Sequence, residues 1–150
     1  MTQSLQEKEN QLRQLVTEMR LMEGSVNTLQ QRHQLVLNSI SELRIAKQSL
    51  EDLKNIKPGS NMLVPIGGAA LINANLGNLE KVVIGIGADV SLEMKYEDAV
   101  KDVSERLAEM EKAQVSIEDQ LTQIMAQLET HQSIAQRLTS ELQQAVQGSA

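Results

Sequence analysis

The sequence predicts an α+β chain: a long antiparallel coiled coil of two helices, with two central β-hairpins whose sheet other subunits complete. Three observations carry this. An unbroken heptad register runs through residues 1–57, a second runs through 97–150, and the stretch 58–96 between them is aliphatic and broken by glycines. The three segments are read as an amino-terminal helix, a hairpin region for oligomerisation and a carboxy-terminal helix.

Composition agrees. The 150 residues are 41 % hydrophobic but only 1 % aromatic, with no Phe or Trp and a single Tyr, Tyr96. A globular core of this length draws on several rings, because each buries a large area. Aliphatic mass without rings suits long helices and short strands. The chain has no cysteine, so disulfides, thiolate zinc sites and cysteine nucleophiles are excluded, which fits a reducing cytosol. Residues 1–57 carry 8 basic and 7 acidic groups, 58–96 carry 2 and 3, and 97–150 carry 4 and 10, for a net charge of −6. That balance disfavours nucleic acid as a partner, since phosphate binding needs clustered Lys and Arg. No apolar run approaches the roughly 20 residues of a membrane span, and MTQSLQEKEN lacks the regions of a signal peptide. A soluble, cytoplasmic protein without membrane contact is expected.

Ser4-Leu5-Gln6-Glu7 reads as a capping box with Ser4 at the N-cap, and Pro58-Gly59 stops the helix that follows. Roughly 50 residues at 1.5 Å each give about 75 Å. One seam row is Leu5, Leu12, Met19, Val26, His33, Ile40, Lys47; the other is Lys8, Leu15, Met22, Leu29, Val36, Leu43, Leu50. Alternating steps of three and four mark a left-handed coiled-coil seam. The second helix repeats it with Val100, Leu107, Gln114, Leu121, Leu128, Ala135, Leu142 and with Val103, Met110, Ile117, Ile124, His131, Leu138, Ala145. Glu97 and Asp98 suit its first turn, and Glu97–Lys101 and Asp102–Arg106 are spaced for ion pairs. Two seams of equal length joined through a small middle pair with each other, so that partner positions sum to about 151.

The middle holds four candidate strands, Met62–Ile66, Ala69–Leu76, Lys81–Ile86 and Ala88–Met94, with a turn at Leu76–Leu79. Four short strands cannot cover both of their faces, and exposed edges are an aggregation hazard in a monomer. The aliphatic residues Leu63, Val64, Ile66, Leu71, Ile72, Val82, Val83, Ile84, Ile86, Val90 and Leu92 are therefore assigned to contacts between subunits.

No constellation for catalysis stands out, and no cofactor is expected. Gly85-x-Gly87 lacks the third glycine and the helix of a dinucleotide site, and Gly67-Gly68 lacks the Lys-Ser/Thr of a phosphate loop. Both read as bends. His33 and His131 fall on the seam, about 20 Å apart in the proposed register, which excludes a shared metal. With Lys47 and Gln114 they read as polar seam residues that fix the register at some cost in stability.

The end of the rod where the termini meet is low in charge and rich in glutamine. It carries apolar residues outside the seam: Val16, Leu21, Leu35 and Leu37 on the first helix, Met125, Ile134 and Val146 on the second. Two readings stand. They are scattered surface hydrophobes, or they form an adaptable apolar surface that methionines Met19, Met22 and Met125 help to repack.

The runs Leu63-Val64-Pro65-Ile66-Gly67-Gly68 and Lys81-Val82-Val83-Ile84-Gly85-Ile86-Gly87-Ala88-Asp89-Val90-Ser91-Leu92-Glu93 resemble the central region of the prefoldin α class in its archaeal form. The flanking heptads extend the likeness to nearly the whole chain. The resemblance implies two α and four β subunits whose hairpins form an intersubunit β-barrel, with six coiled coils hanging from it. It implies an ATP-independent chaperone that captures unfolded client proteins at the coiled-coil tips and delivers them to a group II chaperonin. The tip residues expected to touch clients are Leu5, Leu12, Val16, Met19, Leu21, Met22, Ile134, Leu138, Leu142 and Val146. Without Phe or Trp, such contact is aliphatic. Two other classes compete. A structural spacer or scaffold explains the helices but not the hairpins, and an enzyme would need convergent polar groups that the middle segment lacks.

Overall fold

The computed structural model describes residues 2–148. Helix α1 spans Thr2–Lys54; strands β1 (Asn61–Gly67), β2 (Ala70–Asn75), β3 (Lys81–Gly87) and β4 (Val90–Lys95) follow; helix α2 spans Tyr96–Gly148. Helix α1 begins two residues before Ser4, so Ser4 lies inside the first turn and is not its N-cap. Its end comes at Lys54, three residues before the expected stop. Asn55 N and Ile56 N donate to Asp52 O and Leu53 O, a tightened last turn that uses up orphan carbonyls ahead of Pro58.

The chain folds as two compact units. A terminal unit takes the chain up to Leu37 together with the chain from Ala113 onward; a hairpin unit takes Asn38–Lys112. Each helix thus contributes to both units, a division that cuts across the three sequence segments.

In the terminal unit the helices pair antiparallel. Lys8 Nζ donates to Glu141 Oε2 at 2.8 Å, His131 Nε2 lies 2.9 Å from Glu18 Oε2, and His33 Nε2 lies 3.0 Å from Glu118 Oε1. Partner numbers fall on one helix as they rise on the other, close to the register expected. The buried residues Leu15, Leu29, Ile117, Ala135 and Leu138 are all heptad positions.

In the hairpin unit β1 pairs with β2 and β3 with β4, both antiparallel, as two separate two-stranded sheets. The hairpins are an internal repeat with a 20-residue offset that the sequence reading passed over. Asn61↔Asn75 matches Lys81↔Lys95, Val64↔Ile72 matches Ile84↔Leu92, and the bulge at Pro65/Gly67 matches that at Gly85/Gly87. The turn conformations match too: Gly67, Gly68 and Ala69 have φ of 105°, 55° and 61°, and Gly87, Ala88 and Asp89 have 108°, 50° and 58°. Two consecutive left-handed residues give a turn whose twist suits the flanking strands. The preceding residue sits at a φ that an L side chain avoids, which explains glycine at both 67 and 87.

The core of this unit is Leu50, Tyr96 and Val103, with Leu43, Ala46, Leu79, Val82, Ile84 and Val100 packed against it. Tyr96 opens α2. Its hydroxyl donates to Leu50 O at 2.7 Å, and Lys54 Nζ stands 5.3 Å from its ring centroid. The one aromatic of the chain therefore ties the end of α1 to the start of α2. Heptad reading missed Tyr96 and its neighbour Ala99, which is fully buried, because both precede the expected seam. The pair Asp102–Arg106 forms at 2.8 Å as expected, whereas Lys101 pairs at 3.9 Å with Glu105 rather than with Glu97.

Tyr96→Phe removes one buried hydrogen bond and is expected to lower stability by about 1 kcal/mol. Tyr96→Ala removes the ring as well and is expected to cost about 3–5 kcal/mol. Denaturant unfolding followed by circular dichroism measures both. Equal costs would mean that the ring carries nothing beyond its hydroxyl.

Candidate functional site

Two surfaces stand out, one in each unit. On the strands of the hairpin unit the exposed large aliphatic residues are Leu63, Ile66, Leu71, Ile72, Val83, Ile86, Val90 and Leu92. On β1 and β3 the exposed Leu63 and Val83 alternate with partly buried Met62, Val64, Val82 and Ile84. Val82 and Ile84 pack against the core of their own unit: on β3 they sit on the face that the helices cover. Val64 is also partly buried. The remaining residues expected at subunit contacts are exposed. Eight large aliphatic side chains open to water on two short hairpins exceed what a soluble monomer normally shows in one place.

In the terminal unit a groove of about 820 Å³ is lined by Leu12, Val16, Met19, Gln132, Ala135, Gln136, Thr139 and Ser140. A second, of about 520 Å³, is lined by Leu12, Thr139, Leu142, Gln143, Val146 and Gln147. Leu12 and Thr139 belong to both, so the two adjoin. A third, of about 570 Å³, takes Leu21, Gly24, Ser25, Thr28, Leu29, Gln120 and Ile124. No charged side chain lines any of the three. Gln, Ser and Thr offer hydrogen bonds without imposing a charge.

The ten residues expected to meet clients divide by exposure. Leu21 and Val146 are 69 % and 68 % exposed and Val16 is 38 % exposed. Leu5, Leu12, Met19, Met22, Ile134 and Leu142 are half-buried along the seam. Leu138 is buried at 5 %, in keeping with its place in the seam row. The sequence reading missed Gln132, Gln136, Thr139 and Gly24 as groove residues. Their signal is an absence of charge at positions beside the seam, which is legible only once the register is fixed.

The polar seam residues supply the electrostatics. Glu18 is held below its ordinary carboxyl range by the hydrogen bond from His131, with a second from Gln14. Glu118 is lowered by Gln114 and then by His33, and Glu141 by Lys8. His131 Nδ1 also lies 2.8 Å from Gln127 O. Two acceptors thus face one imidazole, which donates to both only when doubly protonated. Each histidine is engaged by a carboxylate of the opposite helix, the role expected of a polar seam residue. Among the described residues no group of three His, Cys, Asp or Glu could hold a metal ion, and no helix is long and apolar enough to cross a membrane.

Paired long helices that carry hairpins with uncovered aliphatic faces define a class of subunit built to assemble through its strands. Comparison with known proteins names that class. The family model of prefoldin subunits matches residues 22–141. The chain is 30 % identical over 125 residues to the prefoldin subunit alpha of Methanococcoides burtonii, covering 83 % of this chain and 91 % of that one. It is 29 % identical over 147 residues to the prefoldin subunit alpha of Nitrosopumilus maritimus, covering 94 % of each. A chain from the cryo-EM structure of filamentous PFD from Methanocaldococcus jannaschii superimposes with a TM-score of 0.65 at 24 % identity, covering 75 % of this chain and 93 % of that one. The chain belongs to the prefoldin family, and it is a chaperone subunit of the prefoldin type.

Two expectations follow for the terminal unit. Carboxyls whose folded range lies below the ordinary value of 4.5 add stability that is present above that value and is lost as pH falls through the lowered one. The joint variant Glu18→Gln/Glu118→Gln/Glu141→Gln should flatten the loss of helicity between pH 6 and pH 3, measured by circular dichroism; an unchanged acid limb would remove these three bridges from the account. A Cβ at Gly24 meets nothing within 4 Å. Gly24→Ala should therefore stabilise α1 by about 1 kcal/mol, read from denaturant midpoints.

Proposed function

We propose that this chain is the α-class subunit of an ATP-independent cytoplasmic prefoldin. Two such subunits and four β-class subunits join their hairpins in a shared β-barrel. The terminal helix pairs capture unfolded client proteins, and the complex passes them to a group II chaperonin. Kinship with prefoldin subunits alpha supports the subunit class and the assembly. The observation that supports the client role is the set of uncharged grooves in the terminal unit, lined by aliphatic and neutral polar side chains.

The physics favours weak, plural contact. An unfolded client exposes apolar segments of no fixed sequence, and burying such surface yields roughly 25 cal/mol per Å². The few exposed side chains of one helix pair bind weakly. Several pairs on one complex gain through effective concentration, which permits release at a later stage. Aliphatic and methionine side chains adapt to varied partners better than a fixed polar pattern would. Work of this kind requires neither nucleotide nor metal.

The test uses the whole complex. Val16→Ser/Leu21→Ser/Val146→Ser changes exposed positions only, so assembly and helicity should stay as they are. Protection of a refolding test protein, followed by light scattering, should fall severalfold when the matching positions of all subunits are altered. It should persist in chelator and without ATP. Protection unaffected by the substitutions would place the client elsewhere, and a strict need for nucleotide would revive an enzymatic reading. Val83→Asp puts a charge on an exposed strand face that assembly would bury, which is strongly unfavourable. That variant should fail to enter the hexamer while keeping its helices; co-purification as a full hexamer would overturn the assembly assignment.

A further inference from the structure

The two hairpins share register, bulge, turn and burial pattern, yet they differ in one polar link and in charge. Hairpin β3–β4 rests on its own helices. Val82 and Ile84 pack on the Leu50, Tyr96 and Val103 core, whereas among the described residues β1–β2 gives that cluster nothing. Arg106 of α2 adds a polar link to β3–β4. Its Nη1 donates to Gly85 O at 2.8 Å, at the strand bulge, while its Nε lies 2.8 Å from Asp102 Oδ2. Pro65 holds the position equivalent to Gly85. Among the described residues no charged side chain reaches its carbonyl.

The Asp102 oxygen makes this link demanding. Asp102 Oδ2 is out of contact with water and has no aligned hydrogen bond, so the guanidinium charge beside it is its compensation. Arg106 thus does two jobs with one rigid fork: it neutralises a carboxylate on its own helix and fixes a strand carbonyl. A lysine has a single point of charge and cannot span both.

Charge separates the hairpins further. Residues 61–75 contain no charged side chain, whereas 81–95 contain Lys81, Asp89, Glu93 and Lys95, with Lys81 Nζ 3.6 Å from Glu93 Oε2. One hairpin bears ionic groups and the link to Arg106; its copy is neutral and, among the described residues, lacks that link.

We propose that Arg106 is the positioning residue of assembly. It sets the angle of β3–β4 on α2 before any partner arrives, so that this hairpin is a preset platform. This rests on the assembly reading given above. A preset surface loses less freedom on binding than one that must be ordered, so the clamp acts on the association rate.

The experiment compares wild type with Arg106→Met, Arg106→Lys and Asp102→Asn/Arg106→Met. Amide hydrogen exchange of the free full-length chain is read separately over 61–75 and 81–95. In wild type, 81–95 should exchange more slowly than 61–75. In Arg106→Met, exchange over 81–95 should rise roughly tenfold or more, the scale of one lost charge-assisted hydrogen bond, with 61–75 unchanged. Arg106→Lys and the double variant both relieve the bare carboxylate, so their unfolding midpoints should return toward wild type while fast exchange over 81–95 remains. Stopped-flow association with a β-class subunit from the same source should slow by a similar factor in all three variants. Unchanged exchange over 81–95 in Arg106→Met, or recovery of both midpoint and exchange in Arg106→Lys, would overturn the clamp. So would association at the wild-type rate by chains whose hairpin has loosened. Failure of the wild-type chain to associate at all would instead count against the assembly reading, and the exchange comparison would still decide whether Arg106 holds β3–β4.

Discussion

A pair of helices buries one stripe from each partner, and whatever apolar surface lies outside those stripes faces water or another molecule. Much else about this chain follows from that limit. Among the described residues eleven hydrophobic residues are buried, whereas sixteen large ones are exposed. In a compact domain the balance runs the other way. The excess is concentrated rather than scattered: half of the exposed set lies on the four strands. A fold that places so much aliphatic surface outside its own core is one whose free energy is completed by association.

The two units meet this limit differently. The hairpin unit buries one side of β3–β4 against a core closed by Tyr96 and leaves the rest as aliphatic β-surface, which demands a partner of matching geometry. The terminal unit has no strands. Its unburied apolar groups sit in shallow grooves among Gln, Ser and Thr, which demand nothing specific. In the function proposed above, one surface suits a fixed subunit and the other a variable client. The difference arises because strand edges present a regular row of backbone donors and acceptors, whereas helix surfaces present side chains only.

Polar residues in the seam give the pairing its single register. Lys8, His33 and His131 interrupt rows that would otherwise tolerate a slip of one heptad. Each meets a carboxylate of the opposite helix; Glu18 and Glu141 are lowered chiefly by His131 and Lys8, and Glu118 by Gln114 and then His33. A shifted register would leave these groups without their counter-charges. Exposed bridges of this kind add little stability individually. Their value lies in discriminating among alignments that the apolar positions alone leave close in energy.

The sequence alone determined the two helices, their antiparallel pairing and the seam, because heptad spacing is a local pattern with a unique geometric consequence. It determined both hairpins as well, since glycine and β-branched residues mark turns and strands wherever they stand. It placed His33 opposite residue 118 by counting, and Glu118 is there. Only the tertiary structure decided which side of β3 the helices cover, sending Val82 and Ile84 inward and Val83 outward. It alone showed the grooves beside Leu12 and Thr139. It also revealed Tyr96 as the tie between the helices and Arg106 as the link to Gly85. The reason is the same in each case: a contact between residues 21 or 46 positions apart depends on how an element is rotated about its own axis, and periodicity leaves that rotation open until packing fixes it.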